Sequence, residues 1–177
     1  MQFPVYKYGL IFRLVEESDA PFILSLRTDP KLSRHLSPTD DNLEKQMQWI
    51  RQSRQRGLKG EEYYFLFEDE NRQPLGVVRL YNLKDGTFTS GSWMIKPQCD
   101  HFVAVKSDLF VLDFAFAVLN LEKCLIDVRK ENKKVLLYHK KFFTQINEDK
   151  TNIYFEMDRV GYHRKRNFLT GIINTEI

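Results

Sequence analysis

Cysteine is scarce: Cys99 and Cys124 are the two among 177 residues. Two cannot make a disulfide framework, and with no export signal they are expected as free thiols in a reducing compartment. No apolar run approaches the roughly 20 residues a membrane-crossing helix requires. The opening residues, Met1-Gln2-Phe3-Pro4-Val5-Tyr6-Lys7, lack the charged start and long apolar core of a signal peptide. A cytoplasmic location without membrane contact is the expectation. Linkers, internal repeats and low-complexity stretches are also missing, which fits one domain across residues 1–177.

Familiar catalytic signatures are missing as well. There is no G-x-G-x-x-G, P-loop, H-E-x-x-H or G-x-S-x-G pattern. Cys99, His101, His139 and the distant His35 do not form a spaced ligand set, so no metal is expected. The net charge is only +3. That suits an ordinary solvated surface as well as an anionic partner such as a phosphate-bearing cofactor. The basic residues fall in short clusters, Arg51, Arg54, Arg56 and Lys59 in one place and His163-Arg164-Lys165-Arg166 in another. Without a continuous basic face carrying aromatic platforms, nucleic acid is not an expected partner.

What is present argues for a packed fold. Hydrophobic residues make up 42% and aromatics 14%, which excludes disorder and supplies large buried area. Residues 9–15 read as a strand. Ser18 is placed to cap a helix carrying Phe22, Ile23 and Leu26, with Pro21 in its tolerant first turn and Pro30 beyond its end. Asp41 with Glu44 resembles a capping box, and Leu43, Met47 and Ile50 recur at helical spacing up to about Gly57. The strands 63–68 and 75–81 follow, and Asp85-Gly86 is a strong hairpin signal. The tail from Gly161 to Arg166 reads as a solvated tail or helix face.

The stretch from Gly91 to Phe143 organises the chain. It reads as the strand 92–96, the loop 97–101, an apolar helix over about 102–119, the strand 125–128, and an amphipathic helix opening at Asn132. Such a strand–helix–strand unit predicts a parallel pair with a right-handed crossover. The loop then lies at the carboxyl end of the first strand, where α/β sheets tend to bind ligands. The apolar helix has few polar positions, Lys106 to Asp108 and Asp113, and is expected to be covered on most sides.

This order of elements, joined to the segment Asp127-Val128-Arg129-Lys130-Glu131-Asn132, resembles the GNAT superfamily of acyl-CoA N-acyltransferases. Within it the chain looks similar to the branch of ribosomal-protein N-terminal acetyltransferases and surface-sugar acetyltransferases. The resemblance covers about residues 8–158, leaving 159–177 as a C-terminal tail. It implies an α/β (α+β) fold: a mixed, mainly antiparallel sheet of six to seven strands, a splayed parallel central pair, and helices on both faces. It implies acetyl-CoA as co-substrate, no metal, and direct attack of an amine on the thioester. The acceptor implied first is an amino sugar or nucleotide-linked amino sugar. A protein N-terminal amine and a catalytically degenerate GNAT-fold binding module are the alternatives. The partner is then a small-molecule amine, and a homodimer is possible.

The resemblance also assigns roles. Main-chain groups of Met94, Ile95 and Lys96 would pair with the pantetheine arm, as in β-augmentation. The helix start, Val103, Ala104, Val105 and Lys106, would face the pyrophosphate. Asn132 would contact the cofactor, cap the last helix, or both. His139 stands where relatives carry a tyrosine that protonates the leaving thiolate; otherwise it is a buried helix histidine. Asp127 is placed to act as general base, or else is an edge carboxylate paired with Arg129 or a lysine. Trp93 and Tyr81 would line the acceptor pocket, or belong to the core. Two departures stand out. In the Q/R-x-x-G-x-G/A register of Cys99 to Ala104 only Ala104 fits: Phe102 replaces a glycine and Asp100 adds a like charge, which Lys106 would partly offset. Phe143 replaces the glycine of a Gly-Phe pair.

Overall fold

A computed structural model describes residues 2–174. The elements, in chain order, are β1 (Val5–Lys7), β2 (Leu10–Leu14), α1 (Ala20–Thr28), α2 (Pro30–Ser33), α3 (Leu43–Leu58), β3 (Tyr63–Glu68), β4 (Pro74–Lys84), β5 (Thr87–Ile95), α4 (Phe102–Asp113), β6 (Lys123–Arg129), α5 (Lys133–His139), β7 (Thr144–Glu148), β8 (Asn152–Asp158) and α6 (Arg159–Asn174). The strands form one eight-stranded sheet in the order β1-β2-β3-β4-β5-β6-β8-β7. Every neighbouring pair is antiparallel except β5–β6. The sheet is therefore mixed and mainly antiparallel with a parallel central pair, as expected. Its short edge strand β1 takes the count to eight rather than six or seven.

Alternation along the strands sends side chains to two cores. On one face Val15, Leu66, Val77 and Met94 pack with Ile23 and Leu26 of α1 and Ile50 of α3. On the other, Phe12, Phe65, Phe67, Val78 and Leu80 meet α4, which is buried almost all round, together with Leu136 of α5 and Leu169 of α6. Phe12 and Phe110 stack with ring centroids 3.7 Å apart. Beyond Asp113 the helix widens into a π-helical turn over Phe114–Val118. Gly76 sits where the sheet is tightest: a Cβ there would lie 2.3 Å from the Met94 carbonyl oxygen and 2.5 Å from Phe67 Cζ. The Asp85-Gly86 turn takes positive φ at both residues (51° and 74°), as a two-residue hairpin with right-handed strands requires.

Several local expectations shift. The first helix does not start on Ser18, which lies within a 3-10 turn over Glu17–Asp19; Asp19 accepts the Glu16 N–H instead. The cap of α3 is Asn42, whose side chain accepts the Lys45 N–H at 2.9 Å, not Asp41. The larger change is at the C-terminus. Residues 159–174, read as a tail, form α6, and Gly161, Tyr162, Lys165 and Leu169 are buried along one stripe of it. Residues 175–177 of that expected tail lie outside the described residues. The helix is held by two carboxylates of α4. Asp113 accepts from Tyr8 and Lys7 on one oxygen and from Tyr162 and Arg166 on the other. Asp108 faces Lys165 at 2.7 Å.

Candidate active site

The two parallel strands stay together for three residues only, Thr87 to Thr89 opposite Lys123 to Leu125. Beyond that β5 follows β4 and β6 follows β8, so the strands part. A bulge is the local cause. The register with β4 jumps between Val77↔Met94 and Arg79↔Gly91, and Ser92 is forced to a φ of 48°. A bulge adds twist and turns the strand away from its neighbour. The gap opens a cavity of about 690 Å³, within the usual range for a small-molecule site. It runs through the sheet, with α1, the loop after α2 and α3 along one half and α4, α5 and β6 along the other.

In the second half, Asn132 caps α5, its side-chain oxygen accepting the Val135 N–H at 3.4 Å. This places His139 at the end of that helix, buried and lining the cavity. Its Nδ1 has no protein partner. Burial, reinforced by the nearby Lys165 ammonium and only partly opposed by Asp108, pulls the imidazole down to about 4. It is therefore uncharged at pH 7. Asp108 Oδ2 accepts the Tyr138 hydroxyl at 2.6 Å and lies 2.7 Å from Lys165 Nζ. Burial and that carboxylate push the Tyr138 hydroxyl well above its ordinary value.

The first half carries three cations, Arg27, Lys45 and Arg79, the last two paired with carboxylates. Arg27 is held by Thr39 Oγ1 at 2.6 Å, and Lys45 pairs with Asp40. Arg79 is sandwiched between the rings of Trp49 and Tyr81, at 5.1 and 4.5 Å, and bonds Glu62 at 2.6 Å. His35 also lines this half, and its Nδ1 is buried without a hydrogen-bond partner. Among the described residues, five buried side-chain polar atoms lack a hydrogen bond. Four of them belong to residues on this cavity: His35, Arg79, His139 and Asn152. The fifth is the Lys165 ammonium, which meets Asp108 as an ion pair without a well-directed hydrogen bond. Buried polar groups are rarely left unsatisfied, and four such residues border this one cavity.

The cavity brings together Tyr81, Trp93, Asp127, Asn132 and His139. Asp127 is exposed at its rim and makes no ion pair with Arg129 or a lysine among the described residues. Trp93 is tied down by its Nε1–H to Ser107 Oγ, at 3.0 Å, with its ring tilted on Tyr138. Met94, Ile95 and Lys96 lie beyond the cavity, and the part of β5 that lines it is Ser90 to Trp93. Val103, Ala104, Val105 and Lys106 are outside it too. At the start of α4 two amides are already engaged: the Phe102 N–H by Asp100 Oδ1 at 2.8 Å and the Val103 N–H by the Asp100 carbonyl at 3.0 Å. Lys106 extends toward Gly9, where a Cβ would stand 3.9 Å from its Nζ.

Sequence reasoning missed Arg27, His35, Arg79, Asp108, Asn152 and Lys165. One signal was visible: an aspartate at 108 within an apolar helix must find a partner. Nothing local in the sequence identified Lys165 as that partner.

Residues 9–142 match the family model described as an acetyltransferase (GNAT) domain. No curated protein sequence matches significantly. Among solved structures, apo FdhC, described as a nucleotide-linked sugar GNAT, is 33% identical with a TM-score of 0.86, covering 96% of this chain and 98% of that one. Spermidine N-acetyltransferase from Vibrio cholerae, in complex with CoA and spermine, is 21% identical with a TM-score of 0.72, over 89% of this chain and 99% of that one. Ribosomal-protein-S5-alanine acetyltransferase from Vibrio fischeri is 16% identical with a TM-score of 0.76, over 89% and 97%. The last two likenesses are of fold.

Proposed function

The chain belongs to the GNAT acetyltransferases, and on that premise we propose that it moves an acetyl group from acetyl-CoA to the amine of a nucleotide-linked amino sugar. The observation that carries the reading is the cavity through the β5–β6 gap, with free strand main chain and His139 on one side and Arg27, Lys45, Arg79 and His35 on the other. Unpaired backbone beside Ser90 to Trp93 suits the amides of a pantetheine arm. Arg27, which pairs with no carboxylate among the described residues, suits a sugar carrying phosphates better than a polyamine. FdhC, with its nucleotide-linked sugar description, points the same way.

The chemistry follows from proton counting. The ammonium of the acceptor loses one proton before attack, and Asp127 at the rim, directly or through water, is the group proposed to take it. The amine nitrogen bonds the thioester carbonyl carbon, and the C–S bond then breaks. The nitrogen sheds its second proton, and the thiolate gains one. A neutral His139 cannot bring a proton with it. It acts instead as a shuttle, taking the nitrogen's proton at one ring nitrogen and giving that same proton to the departing sulfur, so that it ends neutral as it began. The products are the amide, CoA thiol and one proton to solvent.

A second reading, a GNAT-fold binding module, is favoured by the engagement of the α4 amides by Asp100. Titration calorimetry with acetyl-CoA comes first, followed by turnover on amino sugars with and without an attached nucleotide and on spermidine. Acetyl-CoA binding with turnover confined to nucleotide-linked amines is expected. Binding without turnover on any amine supports the module. Absence of binding at millimolar acetyl-CoA overturns the enzyme reading.

A further inference from the structure

The lysines and arginines on the cavity wall divide by what they pair with. Lys45 meets Asp40, and Arg79 meets Glu62. Arg129, exposed in the half that β6 forms, and Arg27 have no carboxylate partner among the described residues. Arg27 stands in the last turn of α1. Its Nε–H donates to Thr39 Oγ1 at 2.6 Å, and one terminal nitrogen reaches the Ser37 carbonyl at 3.4 Å. Both partners are uncharged, and both belong to the loop between α2 and α3. The other terminal nitrogen has no hydrogen bond among the described residues. Asp29, two residues on, gives its carboxylate to the start of α2 instead, where Oδ1 accepts the N–H groups of Lys31 at 2.7 Å and Leu32 at 3.2 Å. The guanidinium thus keeps an unopposed charge and open N–H donors on the cavity wall. The same loop carries His35, whose Nδ1 is buried without a partner. Two donors therefore border one half of the cavity with nothing in the protein to satisfy them.

We propose that Arg27 and His35 form the subsite for a phosphate of the acceptor's nucleotide, and that Arg27 restricts the acceptor to molecules carrying one. A guanidinium with open terminal N–H groups takes two phosphate oxygens side by side. His35, with its proton on Nδ1, donates a further bond to that group from a nitrogen otherwise left unsatisfied. Thr39 holds Arg27 through Nε, so little side-chain freedom is lost on binding. The subsite lies in the half of the cavity opposite His139, so a phosphate gripped there leaves the sugar amine to reach the thioester. The identity of the acceptor rests on the transferase reading; the binding of phosphate at Arg27 does not.

Titration calorimetry with UDP, dTDP, CDP and GDP, without CoA and again with CoA added, tests the subsite without requiring turnover. At least one nucleoside diphosphate should bind. Arg27→Gln should weaken it by about 10–100-fold, the loss of a charge-assisted pair, and Arg27→Lys by less, since the charge remains and the fork is lost. His35→Ala should cost about 3–10-fold. In turnover, Arg27→Gln should raise KM for a nucleotide-linked amine by a similar factor while kcat holds, because a phosphate remote from the reacting nitrogen is gripped equally before and during transfer. Thr39→Val keeps the charge and cuts the tie to the loop, and Arg129→Gln removes the other cavity arginine that lacks a carboxylate; both should cost much less than Arg27→Gln. The proposal is overturned if the native protein binds no nucleoside diphosphate or if a folded Arg27→Gln binds as the native protein does. It is equally overturned if Thr39→Val or Arg129→Gln matches the loss. Diphosphate binding that depends on Arg27, in a protein that acetylates no amine, upholds the subsite and counts against the transferase function.

Discussion

Asp113→Asn tests how the sixth helix is held. The carboxylate is buried, and four donors converge on it: Lys7 and Tyr8 on one oxygen, Tyr162 at 2.8 Å and Arg166 at 3.1 Å on the other. Lys7 and Arg166 are each about a third exposed, at 34% and 39%, so solvent screens their share. The two tyrosine hydroxyls are better shielded, and a hydrogen bond to a charged acceptor is worth about 1.5–3 kcal/mol. An asparagine keeps the shape but turns an NH2 toward donors. A loss of about 3–5 kcal/mol is expected, as when one partner of a buried pair is removed. With a urea slope of about 2 kcal/mol per molar, the unfolding midpoint should fall by about 1.5–2.5 M. The pH dependence adds a second arm. The hydrogen bonds and charges hold the Asp113 carboxyl below its ordinary value despite burial. Its contribution is therefore complete above the unfolded value near pH 4 and disappears as pH falls through the folded one. Native stability should drop more steeply on acidification than that of the variant. A midpoint shift equivalent to less than about 1 kcal/mol, or parallel pH profiles, would refute the reasoning.

Two further variants probe the site. His139→Phe should lower kcat by about 10²–10⁴-fold, the range for a proton-transfer group, with little change in acetyl-CoA affinity; steady-state kinetics with calorimetry reads both, and an unchanged rate removes His139 from the mechanism. Asp100→Asn should tighten acetyl-CoA binding by about 2–5-fold, since it removes a negative charge worth about 0.3–1 kcal/mol at the start of α4. A Kd that stays the same or weakens would mean that phosphate does not approach that helix.

Much of the architecture was legible because it is local. The aromatic run Tyr63 to Glu68, the Asp85-Gly86 turn, the apolar helix from Phe102 and the cap at Asn132 each encode their element within a few residues. The order of those elements led to the parallel pair, and the register through Asn132 led to His139 on the cavity. Errors came where neighbours compete. Asn42 displaced Asp41 as a cap, one residue away, since both side chains have the right chemistry. The run His163-Arg164-Lys165-Arg166 looked solvated because hydropathy sees each residue alone. In α6 it divides by helical geometry, with His163 and Arg164 outward and Lys165 inward.

The sequence alone determined most of the strands and helices between residues 9 and 158 and their order, because periodicity, turns and caps depend on near neighbours. Through the family register it also put a histidine, His139, on the cavity. Tertiary structure decided what that histidine can do. Its charge state depends first on its burial away from water, and then on Lys165 and Asp108, brought in from α6 and α4. Such pairings carry no local signature. Electrostatic energy in a buried site depends on distance through space and on the surrounding dielectric, neither of which the linear order of residues contains.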